Sequence, residues 1–476
     1  MNNIKTNKNT VSGSVKHISI PEKLNELAGY SQKCSCGRVH SVDTKLFVIE
    51  HHALDQIPDV IKKYAATVKT AGILSDQITR EIAGNTISKL LKKEGLNIEE
   101  LTLKSPPGAR TVERPHATFE NTLFVEEQLK HCQIIIAVGS GTINDLAKLA
   151  SFRIGIPYIT VPTAASMNGY TSAIAAIMKN GLKQTIDCHQ PLAVIADISI
   201  ISKAPVHLNA SGLGDLESKP VSTSDFKLSS LITNSYFCAA PGELVAKAEK
   251  KAAQSADGLA KGNEDAVKNL MEALLLSGCS MKLASSSSPA SGGEHLISHL
   301  FDMTAEQENR VEGWHGAQVG VATIVTATLY EELKKVDPST INIQSLLDKR
   351  VTLQQHKDEI TKNHGSFAEQ VFMEFSKKYP ADTDYKKRLE FITHNWNTIW
   401  ENINSLKSPS EIKSILKAAG APVTMKELGL TPAHLHYSFL HAREIRGRYT
   451  VLDFAADIGM LQSLKDKILN KSGCLD

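Results

Sequence analysis

Short apolar runs alternate with amphipathic helical stretches from about residue 44 to about residue 203, and the alternation then stops. Leu46–Ile49 reads as a buried strand, followed by a helical stretch through Ile57, Val60, Ile61 and Tyr64. Thr70–Ser75 is a second strand, and Thr79–Lys93 a helix with apolar residues at Ile82, Ile87, Leu90 and Leu91. Leu101–Lys104 follows as a strand and Phe119–Leu129 as a helix. Ile134–Val138, rich in β-branched residues, passes through a glycine turn into a helix over Ile143–Ala150. Tyr158–Val161 and Leu192–Ile198 complete the strands. This alternation predicts βαβ units and a parallel sheet. The turn Lys179-Asn180-Gly181-Leu182, between short apolar arms, predicts a β-hairpin within Ala175–Asp187.

Beyond residue 203 the chain reads as helices, interrupted at Ser285–Gly293, Asp337–Ser339 and Ser408–Ser410. The fold class is therefore α/β plus all-α. A polar, irregular segment covers 1–43, a Rossmann-like parallel-sheet domain 44–203, and an all-helical domain 204–476. Ligands of open α/β sheets bind at the carboxyl ends of the strands, where the helical half could close a cleft.

Composition narrows the function. The 476 residues carry 53 Lys plus Arg against 51 Asp plus Glu, a net charge of +2. No basic excess is available to neutralise phosphates, which argues against nucleic acid as a partner. The longest apolar runs fall far short of the ~20 residues of a membrane span, so no membrane insertion is expected. The N-terminus has no apolar stretch suited to a signal peptide. Seven scattered cysteines, an odd number, are no disulfide framework and point to a reducing, cytoplasmic setting.

Four groups of residues carry candidate chemistry. In Gly139-Ser140-Gly141 a buried strand runs directly into a helix that includes Asp145. Missing Cβ atoms and free N–H groups there suit a diphosphate, although a plain tight connection has the same pattern. Asp76, at a strand end, is placed either to accept hydrogen bonds from an adenosine ribose or to cap the next helix. His295 and His299 share a helical face at i and i+4; together with Asp215 and His315 they offer candidates for a set of one carboxylate and two imidazoles on a divalent cation. Such a set leaves a position open for a substrate oxygen, although seventeen histidines make chance groupings common. Cys34-Ser35-Cys36 with His40 invites a zinc reading, but the spacer is tight and no fourth ligand is evident beyond His51 and His52. A structural turn is favoured there.

Taken together, Val138–Lys148, Val161–Ser172, Gly212–Asp225, Gly293–His299, Trp314–Gly320 and Ile445–Leu452 make the chain resemble sn-glycerol-1-phosphate dehydrogenases of the bacterial type. That group sits in the superfamily of glycerol dehydrogenase, iron-containing alcohol dehydrogenases and dehydroquinate synthase. The resemblance spans about residues 30 to 465. It implies a Rossmann-like domain for NAD or NADP and a helical domain holding one divalent metal (zinc, nickel or iron) on Asp215, His295 and His315. It matches Gly139, Ser140 and Gly141 to the pyrophosphate loop and Asp76 to the ribose carboxylate. Thr163 and Ser166 match positions lining the nicotinamide and its phosphates. It further implies homo-oligomers, here taken as a dimer. Two residues depart from expectation: Asn168 stands where the family usually has Asp, and Glu217 occupies a position expected to be apolar.

The activity so implied is metal-dependent reduction of dihydroxyacetone phosphate, a small phosphorylated triose, to sn-glycerol 1-phosphate. His299 is a candidate proton relay, Asn168 a contact to the reacting end and Lys219 a candidate for the substrate phosphate. An unphosphorylated polyol dehydrogenase and a dehydroquinate-synthase-like lyase are the enzymatic alternatives, and a non-catalytic nucleotide-binding protein the third.

Overall fold

The structure, a computed structural model, describes residues 18–104, 114–308, 310–403 and 406–476. Its strands are β1 (Ser31–Lys33), β2 (Val39–Ser41), β3 (Leu46–Glu50), β4 (Thr70–Asp76), β5 (Asn97–Leu103), β6 (Ile134–Gly139), β7 (Tyr158–Pro162), β8 (Ile174–Lys179), β9 (Leu182–Asp187) and β10 (Ala193–Asp197). Six of them form one parallel sheet in the order β3-β10-β7-β6-β4-β5. Central β6 is buried at every residue, because helices cover both faces of a parallel sheet. Winding reverses at β4, which pairs with β5 on one side and β6 on the other. The crevice of such a reversal opens at the carboxyl ends of the two strands, and these end in Asp76 and Gly139.

Strands β8 and β9 form the expected hairpin, with Asn180 and Gly181 at φ +52° and +71° in its turn. Among the described residues no strand follows Asp197. Three local expectations are refined. The helix expected over Thr79–Lys93 is split by a π turn at Arg80–Gly84. The extra residue of a π turn shifts the helical phase; Ile82 accordingly points to solvent, while Ile87 and Leu91 stay buried. β5 begins at Asn97, ahead of the apolar residues that announce it, because it is an edge strand with polar residues along its exposed length. Residues 18–41 are also more ordered than their polarity suggests. A helical turn at Leu24–Leu27 and the β1–β2 hairpin bury Ile20, Leu24, Leu27 and Cys34 in one apolar cluster.

The elements that position the site are α1 (Gly141–Ile154), α2 (Val206–Glu217), α3 (Lys219–Thr233), α4 (Glu264–Ala284), α5 (Gly293–Gln307) and α6 (His315–Leu333). Helices α2 and α6 meet backbone to backbone. A Cβ on Gly214 would lie 2.3 Å from the Gly316 carbonyl oxygen, and one on Gly316 would lie 1.9 Å from that of Ser211. No side chain fits between them. Glu217, the unexpected carboxylate, lies fully buried at the end of α2. Lys407 bridges it (2.7 Å) to Glu249 on the neighbouring helix, Ala240–Gln254. Burial, then the nearness of Glu249, pushes the Glu217 carboxyl up to about 8.

Gly316→Ala is expected to lower unfolding stability by about 3 kcal/mol, the upper range for overpacking a close contact. A urea titration followed by circular dichroism checks this; an unchanged midpoint would show that the two helices can separate at little cost.

Candidate functional site

Asp215 ends near the C-terminus of α2, His295 stands in the first turn of α5, and His315 opens α6. The glycine crossing of α2 and α6 thus sets Asp215 beside His315. One ligand atom from each of the three residues falls within 4.8 Å of the other two. The Nε2 atom of His295 lies 3.4 Å from Asp215 Oδ1. On the other side of the ring, His295 Nδ1 donates to Glu294 Oε1 at 2.8 Å. That bond fixes the tautomer and turns the lone pair of Nε2 towards Asp215, the usual orientation of a metal-ligating imidazole. Glu294 also accepts from the Gly292 N–H, so its own position is set by the start of α5.

Asp215 is fully buried and accepts three hydrogen bonds. Lys219 Nζ lies 3.0 Å from Oδ1, the Asn168 N–H donates to Oδ2 at 2.8 Å, and Asn168 Nδ2 donates to Oδ1 at 3.2 Å. His295 Nε2, carrying its lone pair, faces the same carboxylate. Burial by itself would push the Asp215 carboxyl up; the charge of Lys219, first among the opposing influences, overcomes it and holds the group far below the carboxylate range. Burial keeps His315 and His299 well below the ordinary imidazole value, helped in both cases by the nearby Lys183. Both rings therefore stay neutral, as metal ligation requires. A carboxylate and two imidazoles suit a divalent cation such as zinc, nickel or iron. Chemically, the donor set fits.

His299 lies one turn along α5, 6.2 Å centroid to centroid from His295 and 5.7 Å from His315. Its Nδ1 is buried without a hydrogen-bond partner among the described residues, and its side chain lines the cavity. Lys219 is placed differently from a surface lysine. It is 4% exposed, and all three of its N–H groups are engaged, by Asp215, Ser218 and the Ala290 carbonyl. It does not line the cavity. Asn168, at 8% exposed, does. A carboxylate at 168 would face the Asp215 carboxylate, whereas the amide donates to it; this is a physical reason for Asn at that position.

One continuous cavity runs from this cluster to the glycine loop, touching Ser140, Gly141, Asp145, Ser166, His295 and His315 among others. Ser140 precedes α1 without capping it, so the N–H groups of its first turn are left for a ligand. A Cβ on Gly139 would sit 2.7 Å from Ile143, so only glycine allows β6 to enter α1 this tightly. Asp145 braces the loop: its Oδ2 accepts from the Ala176 N–H and its Oδ1 faces Asn144 and Lys148. Ser166 bonds Tyr170, while the Thr163 N–H bonds the Gly139 carbonyl at 3.3 Å. Thr163 and Asp76 do not line the cavity. Asp76 caps the following helix, its Oδ1 accepting from the N–H groups of Ile78 and Thr79. One carboxylate oxygen is thereby engaged in the cap, and the other has no hydrogen bond among the described residues.

Four functional-site residues were not predicted. Glu294 orients His295, and its position directly before that histidine was the available signal. Lys148 is wholly buried and binds the carbonyls of Gly169 and Ile174 and the hydroxyl of Ser172, tying α1 to the hairpin. A lysine inside the apolar run Leu146–Ala150 was its signal. Lys183, from β9, lines the cavity and pairs with buried Asp302 at 2.6 Å. It had no local signal, because only the hairpin's insertion brings it there. Arg114 lines the same end and lies over the Trp314 ring.

Glu294→Gln is expected to weaken divalent-metal affinity about 10- to 100-fold with the fold intact, the usual effect of removing a carboxylate behind a ligating histidine. Isothermal titration of metal-stripped protein measures it, and unchanged affinity would remove Glu294 from the site.

Comparison with known proteins finds relatives along most of the chain. Residues 48–205 match the family described as iron-containing alcohol dehydrogenase. An NAD(P)+ glycerol-1-phosphate dehydrogenase of Bacillus licheniformis is 30% identical, across 93% of this chain and 98% of the relative. One of Methanosarcina barkeri is 32% identical, across 85% and 89%. Among solved structures, a glycerol dehydrogenase of Schizosaccharomyces pombe superposes with a TM-score of 0.58 at 20% identity, over 92% of this chain and 95% of that one. At that identity the likeness is one of fold. No helix among the described residues is long and apolar enough to cross a membrane.

Proposed function

We propose that this chain, which belongs to the glycerol-1-phosphate dehydrogenase family, reduces dihydroxyacetone phosphate to sn-glycerol 1-phosphate with NADH or NADPH. The observation that carries the reading is the single cavity joining the Ser140–Gly141 loop to Asp215's partners His295 and His315. The chain divides its work at about residue 203/204: residues 44–203 take the dinucleotide, and 204–476 the metal and most of the substrate. Asp215, His295 and His315 hold the metal. When bound, the metal supplies Lewis acidity at the ketone oxygen and the nicotinamide supplies hydride.

The protein's own groups do the positioning. The first turn of α1 receives the pyrophosphate through its uncapped N–H groups, with Gly139 and Gly141 permitting close approach. Asp76, with one carboxylate oxygen outside the cap, would take the adenosine ribose and favours NAD over NADP, since it would repel a 2′-phosphate. Ser166 and Thr163 flank the nicotinamide. Asn168 and Lys219 act on the substrate indirectly, by fixing both oxygens of Asp215. His299, neutral at the cavity wall, relays a proton from solvent to the substrate oxygen, its ring taking up one proton as it gives up the other. Lys183 and Arg114, at the cavity wall, meet the substrate phosphate. Cytoplasmic location and homodimeric assembly belong to the same proposal.

NAD(P)H absorbance with the two trioses tests it directly. Dihydroxyacetone phosphate should be reduced with kcat/KM about a hundredfold or more above dihydroxyacetone, because a site built for an anion is left unpaired by the neutral analogue. Chelation should abolish turnover, and added zinc, nickel or iron restore it. Equal rates on both trioses would favour the polyol reading, and no net NAD(P)H consumption on either would favour the lyase. Lys183→Ala should raise KM for the phosphorylated substrate about tenfold or more while leaving the dihydroxyacetone rate unchanged. An equal loss on both substrates would remove Lys183 from phosphate binding.

A further inference from the structure

A second group of metal-ligand side chains lies outside the cavity. Cys34 and Cys36 border the β1–β2 turn, His40 lies in β2, and Cys238 sits between α3 and the helix Ala240–Gln254. Cys34 and Cys238 are buried, as is His40. One ligand atom from each of the four falls within 4.8 Å of all the others. The spacings are more informative than that limit. Cys34 Sγ and Cys238 Sγ are 3.9 Å apart; His40 Nε2 is 3.4 Å from Cys36 Sγ and 3.5 Å from Cys238 Sγ. Zinc bonds of about 2.3 Å to sulfur and about 2.0 Å to nitrogen give tetrahedral edges of about 3.8 Å and about 3.5 Å. The measured edges coincide with these.

The surroundings have the form of a ligand-supporting shell. His40 Nδ1 faces the Leu283 carbonyl at 2.5 Å, and since a carbonyl only accepts, Nδ1 carries the proton and Nε2 the lone pair. The Cys36 N–H points at Cys34 Sγ (3.5 Å), and the Tyr236 hydroxyl lies 3.5 Å from Cys36 Sγ. Arg38 covers Tyr236, its guanidinium 3.4 Å from the ring centroid, and donates to the Ala284 carbonyl.

We infer that Cys34, Cys36, His40 and Cys238 bind one structural zinc ion, separate from the metal of the catalytic cavity. Four protein donors leave no open position, which is the arrangement of a structural site. The ion fastens residues 31–41 to the segment 234–239 and, through His40 and Leu283, to the end of α4. The fourth ligand was missing from the sequence pattern because Cys238 lies two hundred residues downstream; only the fold brings it back.

The test uses the full-length protein and two readouts. Elemental analysis of His295→Ala, in which the other site is disabled, should give one zinc per chain after brief chelation; adding Cys238→Ser should reduce it to none. The second readout needs no variant. Protein produced with cobalt should show thiolate-to-metal charge-transfer absorption, which the sulfur-free set Asp215, His295 and His315 cannot produce. Zinc retained undiminished after Cys238→Ser would overturn the inference. So would bound cobalt without a thiolate band, or a Cys34–Cys238 disulfide in protein kept under reducing conditions.

Discussion

The site depends on two helices touching without side chains between them. Gly214 of α2 meets Gly316 of α6, and Gly316 meets the Ser211 carbonyl, at distances a Cβ would forbid. Because Asp215 follows Gly214 and His315 precedes Gly316, the contact that seats the helices is also the one that places two proposed metal ligands together. Spacing two backbones this closely is a packing problem first, and interiors packed at crystal-like density transmit even small shifts. The ligand geometry inherits its precision from that rigidity.

Electrostatics complete what packing begins. A lone buried carboxylate would be driven to bind a proton. Asp215 avoids this through Lys219 and Asn168, both fixed by further bonds of their own. The site is thus charged and oriented before any ligand arrives, and little rearrangement is required on binding. Lys148 does the comparable task in the other half, where its buried ammonium joins α1, the Gly169 segment and the first hairpin strand.

The parallel sheet and the hairpin were readable because both rest on local rules: β-branched runs between helices, and an Asn-Gly pair between apolar arms. The residues of the Asp215, His295 and His315 group were readable only when several motifs were considered together, since each spacing alone has an innocent explanation. What escaped was non-local. Lys183 looks like an exposed hairpin residue until the hairpin enters the helical half, and Cys238 is unremarkable until it meets Cys34 and His40. Lys219 reads in the sequence as a candidate for the substrate phosphate because its burial follows from the α2–α3 turn and the Ala290 loop, which no periodicity reports. Glu217 looked anomalous for the same reason: its partner Lys407 is 190 residues away.

The β8–β9 hairpin has a consequence for folding. It leaves the sheet half, yet Leu182 belongs to the apolar core of the helical half and Gly181 lies so close to Phe367 that a Cβ would overlap its ring. Lys183 is clasped there by Asp302, and Arg446 donates to the Lys183 carbonyl. Neither half can complete its core without the other, because part of one is a plug in the second. A chain of this length would ordinarily be expected to melt in stages. Here the inserted hairpin couples the halves into one cooperative unit, and it makes long-range docking, late in sequence and slow, a requirement for the native state.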